Sequence, residues 1–181
     1  MNPRRKKGLV QVIVGVVVLL VALFLYWYGK TSVVAVGSFV ECAAAGNPVM
    51  ESYPRQCRTS DGRVFKEDIG NELEKDNLIR ISEPRPNATV KSPLTVRGMA
   101  RGNWFFKASF PIKLLDTTGT EVAHTIAQAK SDWMTVEFVP FEAVLTFTVS
   151  AGSGILVLEK DNPSGLPEHD DELRVPVRFK K

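Results

Sequence analysis

The chain has 181 residues, of which 44% are hydrophobic and 24% charged, a balance that excludes a disordered polar chain and a protein with many membrane spans. Its formal charge of +3 depends on the first residues, because Arg4, Arg5, Lys6 and Lys7 precede any apolar run. From Lys30 onward, 19 basic residues face 20 acidic ones. The body therefore lacks the clustered positive charge of a nucleic-acid-binding surface, and we expect no nucleic-acid partner.

The first predicted element is a transmembrane helix over residues 9–28, which follows a basic N-terminus at residues 1–8. Gln11 is the only strongly polar residue of this run, and 20 helical residues span roughly 30 Å, the thickness of a bilayer core. Basic residues before the run and aromatic residues at 26–28 predict a cytoplasmic N-terminus and an extracytoplasmic body. A cleaved signal peptide is the alternative, but signal h-regions have about 7–15 residues, which favours a retained anchor in the cytoplasmic (inner) membrane.

A juxtamembrane module at residues 29–65 contains the only two cysteines of the chain, Cys42 and Cys57. In an oxidising compartment they are expected to form a disulfide, which would close a loop of about 15 residues and contribute roughly 3 kcal/mol. Two cysteines without a nearby histidine provide too few ligands for a metal site, and no C-x-x-C redox motif is present. The pattern C…GNPVMESYPRQC…DGRVF resembles small Cys-looped modules of bacterial envelope proteins. A proteinase-inhibitor loop that presents residues 54–56 is an alternative interpretation of the same segment.

Residues 66–77 are highly charged and poor in apolar side chains, so we expect a linker or a short solvated helix there. From 78 to 179, short runs alternate apolar and polar residues between turn signals, which predicts seven or eight antiparallel strands. The predicted inward-facing sets are Leu173/Val175/Val177/Phe179, Met134/Val136/Phe138, Leu145/Phe147/Val149 and Phe110/Ile112/Leu114, with Val122/His124/Ile126 on the returning strand after a turn at 116–119. Their total length suits one immunoglobulin-sized sandwich of about 100 residues.

Four short motifs in this region share one resemblance. They are Ile79-x-Ile81-x-x-Pro84, Ser92-Pro93-Leu94-x-Val96-x-Gly98, Leu115-Asp116-x-x-Gly119 and Val175-Pro176-Val177. The region resembles the immunoglobulin-like domain of bacterial spore germination, a module associated with GerMN domains. The resemblance implies an immunoglobulin-like fold, an association with the cell envelope and no enzymatic activity of the domain itself. No GerMN domain accompanies it in this chain, so a role in germination does not carry over.

Candidate catalytic groups are few. His124 shares its strand parity with Val122 and Ile126, which predicts a histidine packed in the core or across a strand. His169 lies in the densest acidic cluster, whose members Glu168, His169, Asp170 and Asp171 are a candidate divalent-ion or hydrolase loop. The cluster lacks the spacing of a calcium loop, so a solvated turn is favoured, and we predict no catalytic residues, no metal and no cofactor.

The strongest binding signal is the aromatic run Trp104-Phe105-Phe106. Successive strand side chains point to opposite faces, so three adjacent rings cannot all enter one core, and at least one is expected at the surface. The run is therefore the candidate binding patch. Packing of these rings inside the domain and against the membrane-proximal module is the alternative.

Together, these observations predict a mainly β protein with an immunoglobulin-like antiparallel β-sandwich, an N-terminal single transmembrane helix and a small disulfide-closed module. The expected function is non-catalytic binding or scaffolding in the bacterial cell envelope, with another envelope protein or a cell-wall polymer as partner. An envelope hydrolase that uses the loop at 168–172 and a proteinase-inhibitor-like module are the alternatives.

Overall fold

The structure is a computed structural model, and it describes residues 15–24, 36–149 and 152–180. Residues 15–24 form helix α1, whose large apolar side chains are exposed. Within these described residues, no helix has the length and apolar character needed to cross a membrane. The helix covers ten residues of the predicted membrane span, and the remaining ones, 9–14 and 25–28, lie outside the described residues.

The module with the two cysteines consists of helix α2 and a three-stranded antiparallel sheet. Its elements are α2 (Phe39–Ala44), β1 (Val49–Met50), β2 (Gln56–Arg58) and β3 (Val64–Lys66). The predicted disulfide between Cys42 and Cys57 is confirmed, and it joins α2 to β2 across a Cα–Cα distance of 6.0 Å. Both half-cystines are fully buried and form a small apolar cluster with Val36, so the bridge is the centre of the module.

The C-terminal domain is a β-sandwich, as the alternation predicted, and its strand pairs are antiparallel except for one, in which Thr89–Val90 pair in parallel with the last strand. Its strands are β4 (Ile79–Glu83), β5 (Thr89–Val90), β6 (Leu94–Arg101), β7 (Ser109–Asp116), β8 (Glu121–Ala129), β9 (Phe138–Leu145), β10 (Gly152–Glu159) and β11 (Glu172–Phe179). They are hydrogen-bonded in the order β4-β6-β9-β8-β7-β10-β11-β5. Only two residue pairs, Gln128–Glu142 and Ala129–Phe141, join β8 to β9, and here the sheet turns from one layer to the other.

The core lies between the layers β4-β6-β9 and β8-β7-β10-β11-β5. Alternate residues of β6, β7, β9 and β11 point into it, including all four inward residues predicted for the last strand. The rings of Phe110 on β7 and Phe141 on β9 meet edge to face with centroids 4.9 Å apart, which joins the two layers.

Two of the predicted inward faces are wrong. Met134 and Val136 belong to an exposed loop, because β9 begins at Phe138 and buries the opposite parity, Val139 and Phe141. His124 is exposed and lies 2.8 Å from the Glu121 carboxylate, since an irregularity in the β7–β8 pairing shifts the parity of β8. Alternation alone does not show which face of a strand is buried.

The segment predicted as a linker packs against the sandwich. It contains the short helix α3 (Glu72–Lys75), and both Ile69 and Glu72 are buried. The Asn71 side chain accepts a hydrogen bond from the Arg174 backbone N–H (2.7 Å) and donates one to the Glu172 carbonyl (2.9 Å). It thus bonds to the backbone of β11 as the backbone of a neighbouring strand would. The predicted short helix is present, but the segment is not a free linker, because both the uncharged Asn71 and the charged Glu72 and Lys75 contact the domain.

The sandwich has two distinct ends. Helix α2 lies at the end that carries the 116–119 turn and the last residues of β11, since Val40 lines one cleft with Gly119 and Arg178. The other end carries the loops 102–108, 130–137 and 160–171, which connect β6 to β7, β8 to β9 and β10 to β11. We call this second end the loop end.

Candidate functional site

Direct contacts hold the three loops of the loop end together. A β-carbon at Gly102 would overlap the backbone carbonyl oxygens of Trp133 and Thr135, so glycine allows the first two loops to touch. The Asp161 backbone N–H donates to the Trp104 carbonyl oxygen (3.1 Å) and joins the third loop to the first. The loop end is therefore an ordered surface.

Two arginines and Phe138, the first residue of β9, hold the end of the second loop. The guanidinium carbons of Arg80 and Arg101 lie 4.5 and 4.1 Å from the centroid of the Phe138 ring. Arg101 also donates to the Val136 carbonyl oxygen (3.0 Å) and to the Asn77 carbonyl oxygen (3.2 Å). Loop 130–137 is thus tied to the sandwich and to the linker, which reduces the entropy that a bound partner would have to remove.

The structure separates the aromatic run of the sequence into buried and exposed members. Trp104 and Phe105 are core residues, with 1% and 4% of their surface exposed, whereas Phe106 is 37% exposed. Gly102–Trp104 form a 3₁₀ turn, so the alternation expected of a strand does not apply. At least one ring of the candidate binding patch was expected at the surface, and Phe106 is that ring, whereas Trp104 and Phe105 lie in the core.

Three further apolar side chains are exposed on the same end, and the sequence analysis did not select them as a surface. Met134 is 77% exposed, Val136 80% and Leu166 47%. Hydrogen bonds from the Met134 backbone to the Asp132 carboxylate (3.0 Å) and from Thr135 to the Trp133 carbonyl (2.8 Å) hold the backbone that presents the first two. The dipeptide signal Ser131-Asp132, typical of a turn, was the sequence feature that could have indicated a loop here.

The loop end also carries an excess of negative charge. The three loops contain three lysines and six carboxylates. Among the described residues, four of these carboxylates have no cationic side chain within 4.0 Å: Asp132, Asp161, Glu168 and Asp170. Of the three lysines on these loops, Lys130 pairs with Glu142, and Lys107 and Lys160 make no ion pair with a described residue. The groups without an ion pair therefore leave the surface acidic.

Residues 78–165 match the family described as the immunoglobulin-like domain of bacterial spore germination, Gmad2. The C-terminal domain is a Gmad2 domain. The match contains β4 to β10 and ends inside loop 160–171, whereas the structure adds β11 to the same sandwich. No curated protein and no solved structure matches the chain significantly.

The acidic loop of the Gmad2 domain does not bring its carboxylates together. Asp171 pairs with Lys75 of α3 (2.5 Å), and Asp170 accepts a hydrogen bond from the Asn162 amide (2.7 Å). In the described ranges, no group of three or more His, Cys, Asp or Glu side chains is arranged to hold a metal ion. These contacts close the loop on itself and on α3.

His169 has one contact with catalytic potential. Its Nδ1 lies 3.0 Å from the Ser164 hydroxyl oxygen, a serine–histidine pair that the sequence analysis did not identify. Both residues are exposed on the loop, and the same hydroxyl oxygen also contacts Asn162 and accepts a hydrogen bond from the Leu166 N–H (3.2 Å). The pair therefore belongs to the hydrogen bonding of the turn, and the hydrolase alternative stays a prediction.

The Cys-loop module is attached to the Gmad2 domain by a three-residue polar cluster. Tyr53 of the module and Arg85 of the domain both contact the buried carboxylate of Glu72 in α3, and Arg85 donates to it at 2.6 Å. Arg85 also donates to the Tyr53 hydroxyl (2.6 Å) and to the Ile81 carbonyl (2.7 Å). Burial and the hydrogen bond to Glu72 raise the pKa of Tyr53 above its ordinary value, which keeps the phenol protonated.

A second ion pair holds the segment considered as an inhibitor loop. The Arg55 guanidinium donates two hydrogen bonds to Glu67, at 2.8 and 2.7 Å. The hydrogen bonds from Arg55 lower the pKa of Glu67 below its ordinary value. The Arg55 side chain is still exposed to solvent, so this ion pair fixes its position without burying it, and the proteinase-inhibitor alternative stays a prediction.

Proposed function

We propose that this protein is a non-catalytic binding or scaffolding protein of the bacterial cell envelope, anchored by its N-terminal segment and engaging a partner through the loop end. The observation that carries the proposal is the position of the loop end. It lies opposite the end of the sandwich where α2, the first described helix after the predicted span, is found. An anchor at one end directs the other end away from the membrane.

The composition of the loop end supports binding. Phe106, Met134, Val136 and Leu166 are large apolar side chains exposed on three adjoining loops. Aromatic residues and methionine are enriched at protein interfaces, and exposed apolar groups on an ordered surface gain free energy when a partner covers them. An immunoglobulin-like sandwich supports such loops on a rigid framework.

The sequence around α1 supports the anchor. Residues 15–24 are helical and carry apolar side chains on every face, and such a helix is stable when it is surrounded by other apolar groups or by lipid. Four basic residues at positions 4–7 favour a cytoplasmic N-terminus. The body would then lie in the oxidising compartment that the buried disulfide requires.

Site-specific photocrosslinking tests the binding proposal. The full chain is produced in its own bacterium with p-benzoylphenylalanine at Met134 or, in a second variant, at Val136. A third variant carries the probe at Thr117, which is exposed in the turn at the opposite end and serves as the matched control. We expect one defined adduct from both loop-end positions and none from position 117. Absence of any loop-end adduct, or equal adducts at all three positions, would overturn the proposal.

Protease accessibility tests the anchor and its orientation. Protease added to spheroplasts should digest the Gmad2 domain, and the domain should remain in the membrane fraction when protease is omitted. Protection from protease would contradict the orientation. A soluble form that begins after residue 28 would favour the cleaved-signal alternative.

A further inference from the structure

We infer that the partner of the loop end is a protein segment that combines positive charge with apolar side chains. This inference rests on the proposed function and adds to it the chemistry of the ligand. The same three loops carry exposed apolar side chains and carboxylates without ion pairs.

The apolar part of the surface is too exposed to be a structural requirement of the fold. Met134 and Val136 point away from the sandwich, whereas Trp133, which precedes them in the same loop, packs against the core. The backbone of this loop is held by its own hydrogen bonds, so solvent exposure of its two outermost side chains adds nothing to the stability of the domain. A partner that covers these side chains must itself present apolar groups.

The charges of the surface indicate which charge the partner carries. The loop end has four carboxylates without an ion pair and only two such lysines. Glu168 is one of these carboxylates and makes no ion pair with any described residue. A positively charged partner would approach this surface faster and be retained longer, whereas an acidic one would be repelled. The same argument disfavours a bilayer with anionic headgroups and a phosphate-rich wall polymer as the occupant.

The ordered geometry of the surface favours a polypeptide segment over a small molecule. The apolar groups are distributed over three loops, which the contacts of Gly102 and Asp161 join. The cavity beside the third loop is lined by charged and polar residues, among them Lys160, Asp170 and Asp171. Small ligands prefer concave, mostly apolar pockets, whereas exposed apolar side chains spread over several loops suit a larger protein partner.

Charge variants of the photocrosslinking chain test this inference. Each carries the probe at Met134 in the full-length protein, together with Glu168→Gln, Glu168→Lys or, as the matched control, Glu51→Lys in the Cys-loop module. Glu51 is exposed and its reversal changes the net charge by the same amount. We expect Glu168→Lys to reduce the adduct yield about fivefold, Glu168→Gln to reduce it by less, and Glu51→Lys to leave it unchanged. The partner peptide in the adduct, sequenced by mass spectrometry, should be basic and contain apolar residues.

The possible results separate this inference from the proposed function. If no loop-end adduct forms in the parent chain, the proposed function fails. If an adduct forms but its yield is the same in all charge variants, or if its peptide is acidic, or if the adduct is a lipid or a wall polymer, the inference is wrong while the loop end remains a binding surface.

Discussion

Replacement of Trp104 by alanine tests whether this residue belongs to the core or to the binding surface. The side chain is 1% exposed and lies in the same buried cluster as Phe105, Phe110 and Phe141. Removal of a buried tryptophan side chain costs about 3–5 kcal/mol, because apolar contacts are lost and a cavity remains. For a domain of about 100 residues, each kcal/mol lowers the unfolding midpoint by about 4–8 °C, so we expect a fall of at least about 12 °C.

Replacement of the same residue by phenylalanine tests a different feature of the indole. Its Nε1–H is buried and has no hydrogen-bond partner among the described residues. An unpaired buried donor costs about 1–3 kcal/mol, and phenylalanine removes that donor while it keeps a large ring. We therefore expect Trp104→Phe to lose less than about 2 kcal/mol, well below the loss in Trp104→Ala.

Thermal unfolding followed by far-ultraviolet circular dichroism measures both variants without relying on tryptophan fluorescence. A loss below about 1 kcal/mol in Trp104→Ala would refute the core position. Equal losses in the two variants would refute the argument from the unpaired donor. Phe106→Ala is the matched control, since its ring is partly exposed and should affect stability little.

Three further predictions concern the contacts that hold the protein together. Gly102→Ala should destabilise the domain by about 1–3 kcal/mol in thermal unfolding, because its new β-carbon overlaps the Thr135 carbonyl oxygen. Arg85→Met should cost about 1.5–3 kcal/mol, because it removes the cation from the buried carboxylate of Glu72. Acid should weaken the attachment of the Cys-loop module, because the pKa of Glu67 is lowered in the folded protein. The contribution of Glu67 to the free energy of unfolding is therefore complete above its ordinary pKa of about 4.5, and it is lost as the pH falls through the lower pKa of the folded state. Thermal unfolding at pH 6 and pH 3 should therefore show a smaller acid effect in Glu67→Gln than in the parent chain.

Matched controls separate these effects from general damage. Asn103→Ala, an exposed neighbour of Gly102, should change stability by less than about 0.5 kcal/mol. Arg97→Met removes ion pairs to two carboxylates on the outer face of the sheet and should cost no more than about 1 kcal/mol. A loss in Arg97→Met as large as that in Arg85→Met would contradict the role assigned to burial of Glu72.

The sequence was sufficient for those parts of the fold in which local pattern and burial coincide. The last strand alternates Leu173, Val175, Val177 and Phe179 without interruption, and all four are buried. The two cysteines could pair only with each other once the segment was placed in an oxidising compartment. In both cases one local feature determined the structure.

The sequence was insufficient where the structure depends on contacts between distant segments. Met134 and Val136 alternate with polar residues like a strand, yet Gly102 and Arg101 hold them in a loop. The attachment of the linker depends on Asn71 and Arg174, which are more than 100 residues apart. The loop end could not be predicted, because it is formed by three loops whose proximity follows only from the order of the strands.

Methionine oxidation in cells tests most directly whether the loop end is occupied by a partner. In the purified full chain, Met134 is more exposed than Met50 of the Cys-loop module, 77% against 43%, and should form its sulfoxide faster under dilute peroxide. In intact spheroplasts that contain the protein at its natural level, we expect the rate at Met134 to fall at least about fivefold relative to Met50, because the partner covers it. An unchanged ratio of the two rates between cells and purified protein would contradict the assignment of the loop end as the binding surface.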